Sequence, residues 1–328
     1  MRLVLVVGTT HTAEIDGLSA AGATPALRLH TPSADAELVR YGQLVRAPVF
    51  PMSPTGCPTP ALVTRAGVEL LGLDVVVADG GLATTTGAPM IGFGAKPGRD
   101  IREPDPVSTA PGAFAAAREF AVSLDDAHLV IGESIPGGTT TALAVMRALG
   151  EPYPVSSSLP ENPLARKEEV VEAALDAADI DPGGAAHYPE LAVRFVGDPV
   201  LAVVSGLCVG ALESGTRVTL AGGTQMVAAS ALVRHAGLTH PLELATTSYI
   251  ADHVDLDPAV SGLDLDCTVT DPAFDDERLS QYATVGREGA AMGGALALAQ
   301  RRGVLDRVQE RTVALLDGLL ESEGDRGL

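Results

Sequence analysis

The chain has 328 residues, enough for one large α/β domain or two unequal ones. It is 46% hydrophobic, has 3% aromatic residues and no Trp, and carries a net charge of −20. That balance excludes a nucleic-acid binder: acidic surfaces repel phosphates, no basic stripe is present, and aromatic stacking platforms are lacking.

Only Lys96 and Lys167 are lysines. Abundant Asp and Glu beside scarce Lys resemble the halophilic surface chemistry of salt-loving organisms, where dense carboxylates hold water and salt screens their repulsion. Cys57, Cys208 and Cys267 lie far apart with no C-x-x-C, the pattern of free thiols in a reducing, cytoplasmic compartment. The seven His show no metal-ligand spacing, so neither a metal nor another cofactor is expected. The start, MRLVLVVG, is too short for a signal peptide or a membrane span, so no membrane partner is expected.

In chain order, Leu3–Val7 reads as a buried first strand ending at Gly8-Thr9-Thr10-His11. A short helix is expected at Ala36–Gln43, then irregular chain over 48–60 with its five prolines, then a helix at Ala61–Leu71. Val75–Ala78 reads as a second strand, ending at Asp79-Gly80-Gly81. Residues 83–112, rich in Thr, Gly and Pro, read as a long loop and a candidate active-site wall. A helix follows at Ala113–Val122.

Residues 128–150 are the most informative stretch. An apolar strand, His128–Ile131, enters a loop with Gly132, Glu133, Gly137 and Gly138, and Thr139, Thr140 and Thr141 open an Ala-rich helix. Strand, glycine loop and helix N-terminus bring backbone N–H groups and a helix dipole to one place, which suits a phosphate. Gly138 stands where a nucleotide P-loop has its Lys, so a kinase or ATPase is disfavoured and a phosphate monoester fits better. The plain alternative is a helix capped by threonines.

Beyond it, Arg166–Ala178 reads as an amphipathic helix and Pro182–Pro189 as loop. Asp198 fits an N-cap and Pro199 the first position of a buried helix, Pro199–Glu213. Arg217–Ala221 then leads through Gly222, Gly223, Thr224 and Gln225 into a helix over Met226–His235, a second strand–glycine–Thr–helix unit. Leu242–Thr247 reads as a strand, 251–278 as an acidic surface segment, and a helix to Gln300 opens after Val285-Gly286-Arg287-Glu288-Gly289. Leu305–Leu320 is a final helix.

Strands alternating with helices imply an α/β fold: Rossmann-like, with a mainly parallel sheet flanked by helices and a smaller helical part. We read residues 1–328 as a single domain, with the C-terminal helices of 288–322 packing on it. Ligands in such folds sit beyond the carboxyl ends of the strands, where these glycine turns recur. Glu288, in a Gly-Arg-Glu-Gly turn, is the catalytic candidate. It reads either as an acid on a helix N-terminus or as a general base in an apolar pocket, where burial raises a carboxyl's pKa. Glu133 reads as a loop acid or as a partner for a ribose hydroxyl.

At Gly132-Glu133, Gly137–Thr140, Gly197-Asp198-Pro199, Leu220–Gln225 and Gly286–Gly289 the sequence resembles the archaeal branch of the nicotinate-nucleotide–dimethylbenzimidazole phosphoribosyltransferases. The resemblance covers nearly the whole chain. It implies nicotinate mononucleotide and a benzimidazole-type base as substrates, α-ribazole phosphate for the cobalamin lower ligand as product, and a homodimer. It also implies Glu288 as the catalytic base. Ribose and phosphate then rest on Glu133, Gly137, Gly138, Thr139, Thr140, Gly222, Gly223, Thr224 and Gln225, with Asp79, Gly80 and Gly289 as base-pocket candidates. The alternative is a non-catalytic protein binding a phosphosugar or nucleotide on the same loops.

Overall fold

The computed structural model describes residues 1–22 and 24–325. Seven strands form one sheet in the order β3-β2-β1-β4-β5-β6-β7, and every pair is parallel. They are β1 Arg2–Val7, β2 Asp74–Asp79, β3 Met90–Gly92, β4 His128–Ser134, β5 Arg217–Ala221, β6 Leu242–Thr247 and β7 Leu265–Thr270. The longer helices are α1 Thr31–Tyr41, α2 Ala61–Leu71, α3 Ala110–Val122, α4 Gly138–Leu149, α5 Leu164–Ala178, α6 Pro189–Val196, α7 Pro199–Glu213, α8 Thr224–His235, α9 Met292–Arg301 and α10 Val308–Asp325.

Parallel strands need covered faces, and β1 shows how the sequence supplies them. Val4 and Val6 point into one core with α3, α4, α6, α7 and α8. Leu3, Leu5 and Val7 point into the other, with α1, α2, α9 and α10. The strand order reverses between β1 and β4, so the crevice of a doubly wound sheet opens beyond their carboxyl ends. No described helix is long and apolar enough to cross a membrane.

Three expectations change. Residues 83–112 are not loop throughout: they contain the edge strand β3 and the start of α3. The acidic 251–278 segment contains β7, whose polar residues sit on a half-exposed sheet edge. The strand at 128 runs on to Ser134, so Gly132 and Glu133 are strand residues rather than loop residues. Helix α6 also stands directly after the 182–189 loop. By contrast, Asp198 caps α7 as expected, accepting from the Leu201 N–H at 2.9 Å, with Pro199 in the first turn.

Candidate active site

An open cleft of about 1030 Å³, its solvent mouth included, lies beyond β4, β5 and β6. The end of β4 and the loop into α4 supply Glu133, Gly137, Gly138 and Thr139 to its wall. The turn from β5 into α8 supplies Gly223, Thr224 and Gln225, and the turn before α9 supplies Glu288 and Gly289. Nine of the sequence-derived site residues therefore share one cavity.

The other four do not line it. Thr140 is fully buried in α4. Gly222 lies behind the turn, its N–H donated to the Ala245 carbonyl at 3.0 Å. Asp79 and Gly80 close a turn on the other half of the sheet: the Asp79 carboxylate accepts from the Gly81 and Leu82 N–H groups, both at 2.9 Å. Gly80 donates to Val7 at 2.8 Å. Nor does any residue of 83–112 reach the cleft.

Glu288 is held by its own turn and by α9. One oxygen, Oε1, accepts from the Gly293 N–H at 2.8 Å and the Gly289 N–H at 3.2 Å. The other, Oε2, is buried without a hydrogen-bond partner. The turn is pressed against the sheet. A Cβ on Gly132 would lie 2.4 Å from the Ala291 Cβ, and one on Gly293 would lie 2.5 Å from the Ala245 carbonyl oxygen. Ala290 and Ala291 take φ of 49° and 71°, left-handed values that cost a non-glycine residue roughly 1 kcal/mol or more each. Ala290 is pinned there by its N–H to the Glu133 carbonyl at 2.8 Å and by the Thr64 hydroxyl on its own carbonyl at 2.7 Å.

Burial pushes the Glu288 carboxyl up to about 8, against the two N–H donors that favour its anion. Burial also pushes Glu133 up to about 8, helped by the neighbouring carboxylates of Asp198 and Glu288. Asp35, brought from α1, is raised to about 6 by burial while accepting from the Thr59 and Ser134 hydroxyls, both at 2.7 Å. Asp198 is raised by burial too. Besides capping α7 it accepts from Thr141 of α4 at 2.5 Å and from the Gln225 amide of α8 at 2.9 Å. One carboxyl thus fixes the N-termini of three helices around the cleft.

Sequence reasoning missed Asp35 and the Ser156–Ser158 wall. Asp35 falls just before the helix expected at Ala36–Gln43, and only the packing of α1, which starts at Thr31, buries it. The run of three serines between prolines was a usable signal for a shaped loop.

No family model matches the chain. A UPF0284 protein of Halobacterium salinarum is 54% identical over 322 residues, covering 95% of this chain and 96% of that protein. The chain belongs to the UPF0284 family. A second member, from Methanothermobacter thermautotrophicus, is 37% identical over 335 residues, covering 97% of this chain and 92% of its own. Among solved structures, the fold is similar to that of the nicotinate-nucleotide-dimethylbenzimidazole phosphoribosyltransferase from Thermus thermophilus, with a TM-score of 0.62 at 19% identity over 96% of this chain and 82% of that one. A structure titled CobT from the same organism gives a TM-score of 0.64 at 19% identity, over 96% and 83%. The UPF0284 family therefore shares an α/β fold with these phosphoribosyltransferases.

Proposed function

We propose that this UPF0284 protein is a phosphoribosyltransferase. It moves the 5-phosphoribosyl group of nicotinate mononucleotide to a benzimidazole-type base, giving α-ribazole phosphate and nicotinate. The observation that carries the reading is Glu288: a buried carboxyl with one oxygen anchored and the other unpartnered, in a cleft at the carboxyl ends of the strands.

An azole ring nitrogen attacks C1′ of the ribose while the bond from C1′ to the nicotinate nitrogen breaks. That bonding pair returns to the pyridine nitrogen, which was quaternary, so the leaving group needs no proton. The azole must lose one, and Glu288 Oε2 takes it. Positive charge builds at C1′ on the way, and the Glu288 carboxylate opposes it electrostatically. The donor's phosphate rests at the N-terminus of α4, on Gly137, Gly138 and Thr139, where N–H groups and the helix dipole suit an anion. Gly223–Gln225 form the adjoining wall, and Glu133 faces the ribose. Gly289 leaves space beside Glu288 for a flat acceptor, whose ring lies on the apolar wall of Leu18, Cys57 and Pro58.

The test is direct. The protein, nicotinate mononucleotide and 5,6-dimethylbenzimidazole are incubated in high salt, and nicotinate is measured by chromatography. The reading expects nicotinate release that requires the azole. Absence of release with every azole tried, in protein that still binds the nucleotide, would contradict it.

A further inference from the structure

The loop 156–160 forms one wall of the cleft through Ser156, Ser157 and Ser158. Its five consecutive carbonyls are all engaged. Ser156 accepts from the Lys167 ammonium at 2.6 Å. Ser157 and Leu159 accept from Arg287 Nη1, both at 2.8 Å, and Pro160 accepts from Nη2 at 3.1 Å. Ser158 accepts from the Gly286 N–H at 3.2 Å.

Lys167 is 0% and Arg287 5% exposed, and among the described residues no other Lys or Arg is classed as buried. Neither pairs with a carboxylate among the described residues, although the chain carries 42 acids. Burying an ammonium and a guanidinium away from acids is expensive, and their donors go instead to the loop's carbonyls and, for Lys167, to the Asn162 amide oxygen at 3.1 Å.

In a trans peptide the C=O and the following N–H point in opposite directions. Carbonyl 156 points at Lys167 and carbonyl 157 at Arg287, so the Ser157 N–H points away from Lys167 and the Ser158 N–H away from Arg287. Among the described residues, neither N–H has a protein acceptor. The neighbouring N–H groups are used: Ser156 donates to the Thr224 hydroxyl at 3.1 Å and Leu159 to the Ser157 hydroxyl at 3.2 Å. Two adjacent donors without a protein acceptor thus remain on the loop that lines the cleft, each on a peptide whose carbonyl meets a cation.

We propose that the Ser157 and Ser158 N–H groups, polarised by Lys167 and Arg287, bind a carboxylate. Given the phosphoribosyltransferase reading, on which this assignment rests, that carboxylate belongs to the pyridine ring of nicotinate mononucleotide. Two neighbouring donors match the two oxygens of a carboxylate, and the phosphate already has its place on α4. The loop then selects the acid over the corresponding amide, whose carbonyl would accept from one N–H while its NH₂ faced the other donor with no acceptor. Ser156 touches Thr224, and Gln225 lies against Gly138, so the loop joins the phosphate end of the cleft through α8. It touches the Glu288 turn through Gly286 and Arg287. Burial pushes Lys167 down to about 7, so Arg287 carries the dependable charge above neutrality.

The experiment is calorimetric binding to the full chain at about pH 8 in high salt, with three probes. Nicotinate mononucleotide has both anions, nicotinamide mononucleotide keeps the phosphate alone, and nicotinate riboside keeps the carboxylate alone. Wild type is expected to prefer the acid nucleotide over the amide by about 10- to 100-fold, the worth of charge-assisted hydrogen bonds. Arg287→Gln should remove most of that ratio and weaken nicotinate riboside, while nicotinamide mononucleotide binds almost as before. Ser157→Pro, which deletes one donor and leaves Lys167 and Arg287 in place, should do the same, and covers the case in which Arg287→Gln does not fold. Equal binding of acid and amide by wild type, or equal weakening of both nucleotides in a folded variant, overturns the proposal. Wild type that discriminates but releases no nicotinate with any azole upholds the carboxylate site and sinks the transferase reading instead.

Discussion

Glu288 and Glu133 are paired acids in one cleft, both held above the usual carboxylate range chiefly by burial. For catalysis the sign is simple: a general base works only when deprotonated. We expect kcat/KM for ribosyl transfer to rise with pH and level off above about 8. A profile already flat from about pH 5 would contradict a raised Glu288. For stability the sign is opposite. An acid raised in the folded state holds its proton more tightly there than in the unfolded chain. Its contribution is complete below the ordinary carboxyl value and drains away as pH climbs through about 8. Glu133→Gln should therefore stabilise the free protein by about 1–3 kcal/mol at about pH 9 and change little at about pH 5. Thermal melts at the two pH values read this out.

At the scale of elements, the site exists because α9 and its preceding turn approach the sheet closely. A side chain on Gly293 would meet the Ala245 carbonyl, the Thr246 Cα and Glu288 Oε2 together. Gly293→Val should cost about 2–4 kcal/mol in urea unfolding and reduce turnover in whatever still folds. Elements of this kind were partly legible in the sequence. The ends of α2, α7, β5 and β6 follow from apolar runs, Pro199 and the glycines, because local chemistry decides them. β3 was hidden because three residues in a Pro- and Gly-rich stretch carry no period. β7 was hidden because an edge strand keeps polar side chains on its exposed positions, so its pattern reads as surface loop. The candidate site divides in the same way. Gly137–Thr139, Gly223–Gln225 and Glu288 stand out by motif, whereas Asp35, Lys167 and Arg287 gain their roles only from partners distant in sequence. Asp79 has the same glycine turn as the others. It lies on the other half of the sheet, away from this cleft, which strand order decides and local sequence does not.

For the whole molecule, the net charge of −20 sets the working conditions. Mutual repulsion among surface carboxylates weakens as salt shortens the screening length from about 10 Å at 0.1 M to about 3 Å at 1 M. The melting temperature should rise by several degrees between about 0.1 M and about 2 M KCl. A fall over that range would refute a charge-limited fold. The same field tells against anionic substrates in general, so a site for one needs local positive potential. In the proposed site the α4 N-terminus and the loop backed by Lys167 and Arg287 supply it.

The most direct test of the central claim compares wild type with Glu288→Gln for nicotinate release, while the affinity of each for nicotinate mononucleotide is measured. The account predicts a loss of turnover of at least about 100-fold with nucleotide binding within a few fold of wild type. Turnover near the wild-type rate in Glu288→Gln would contradict it.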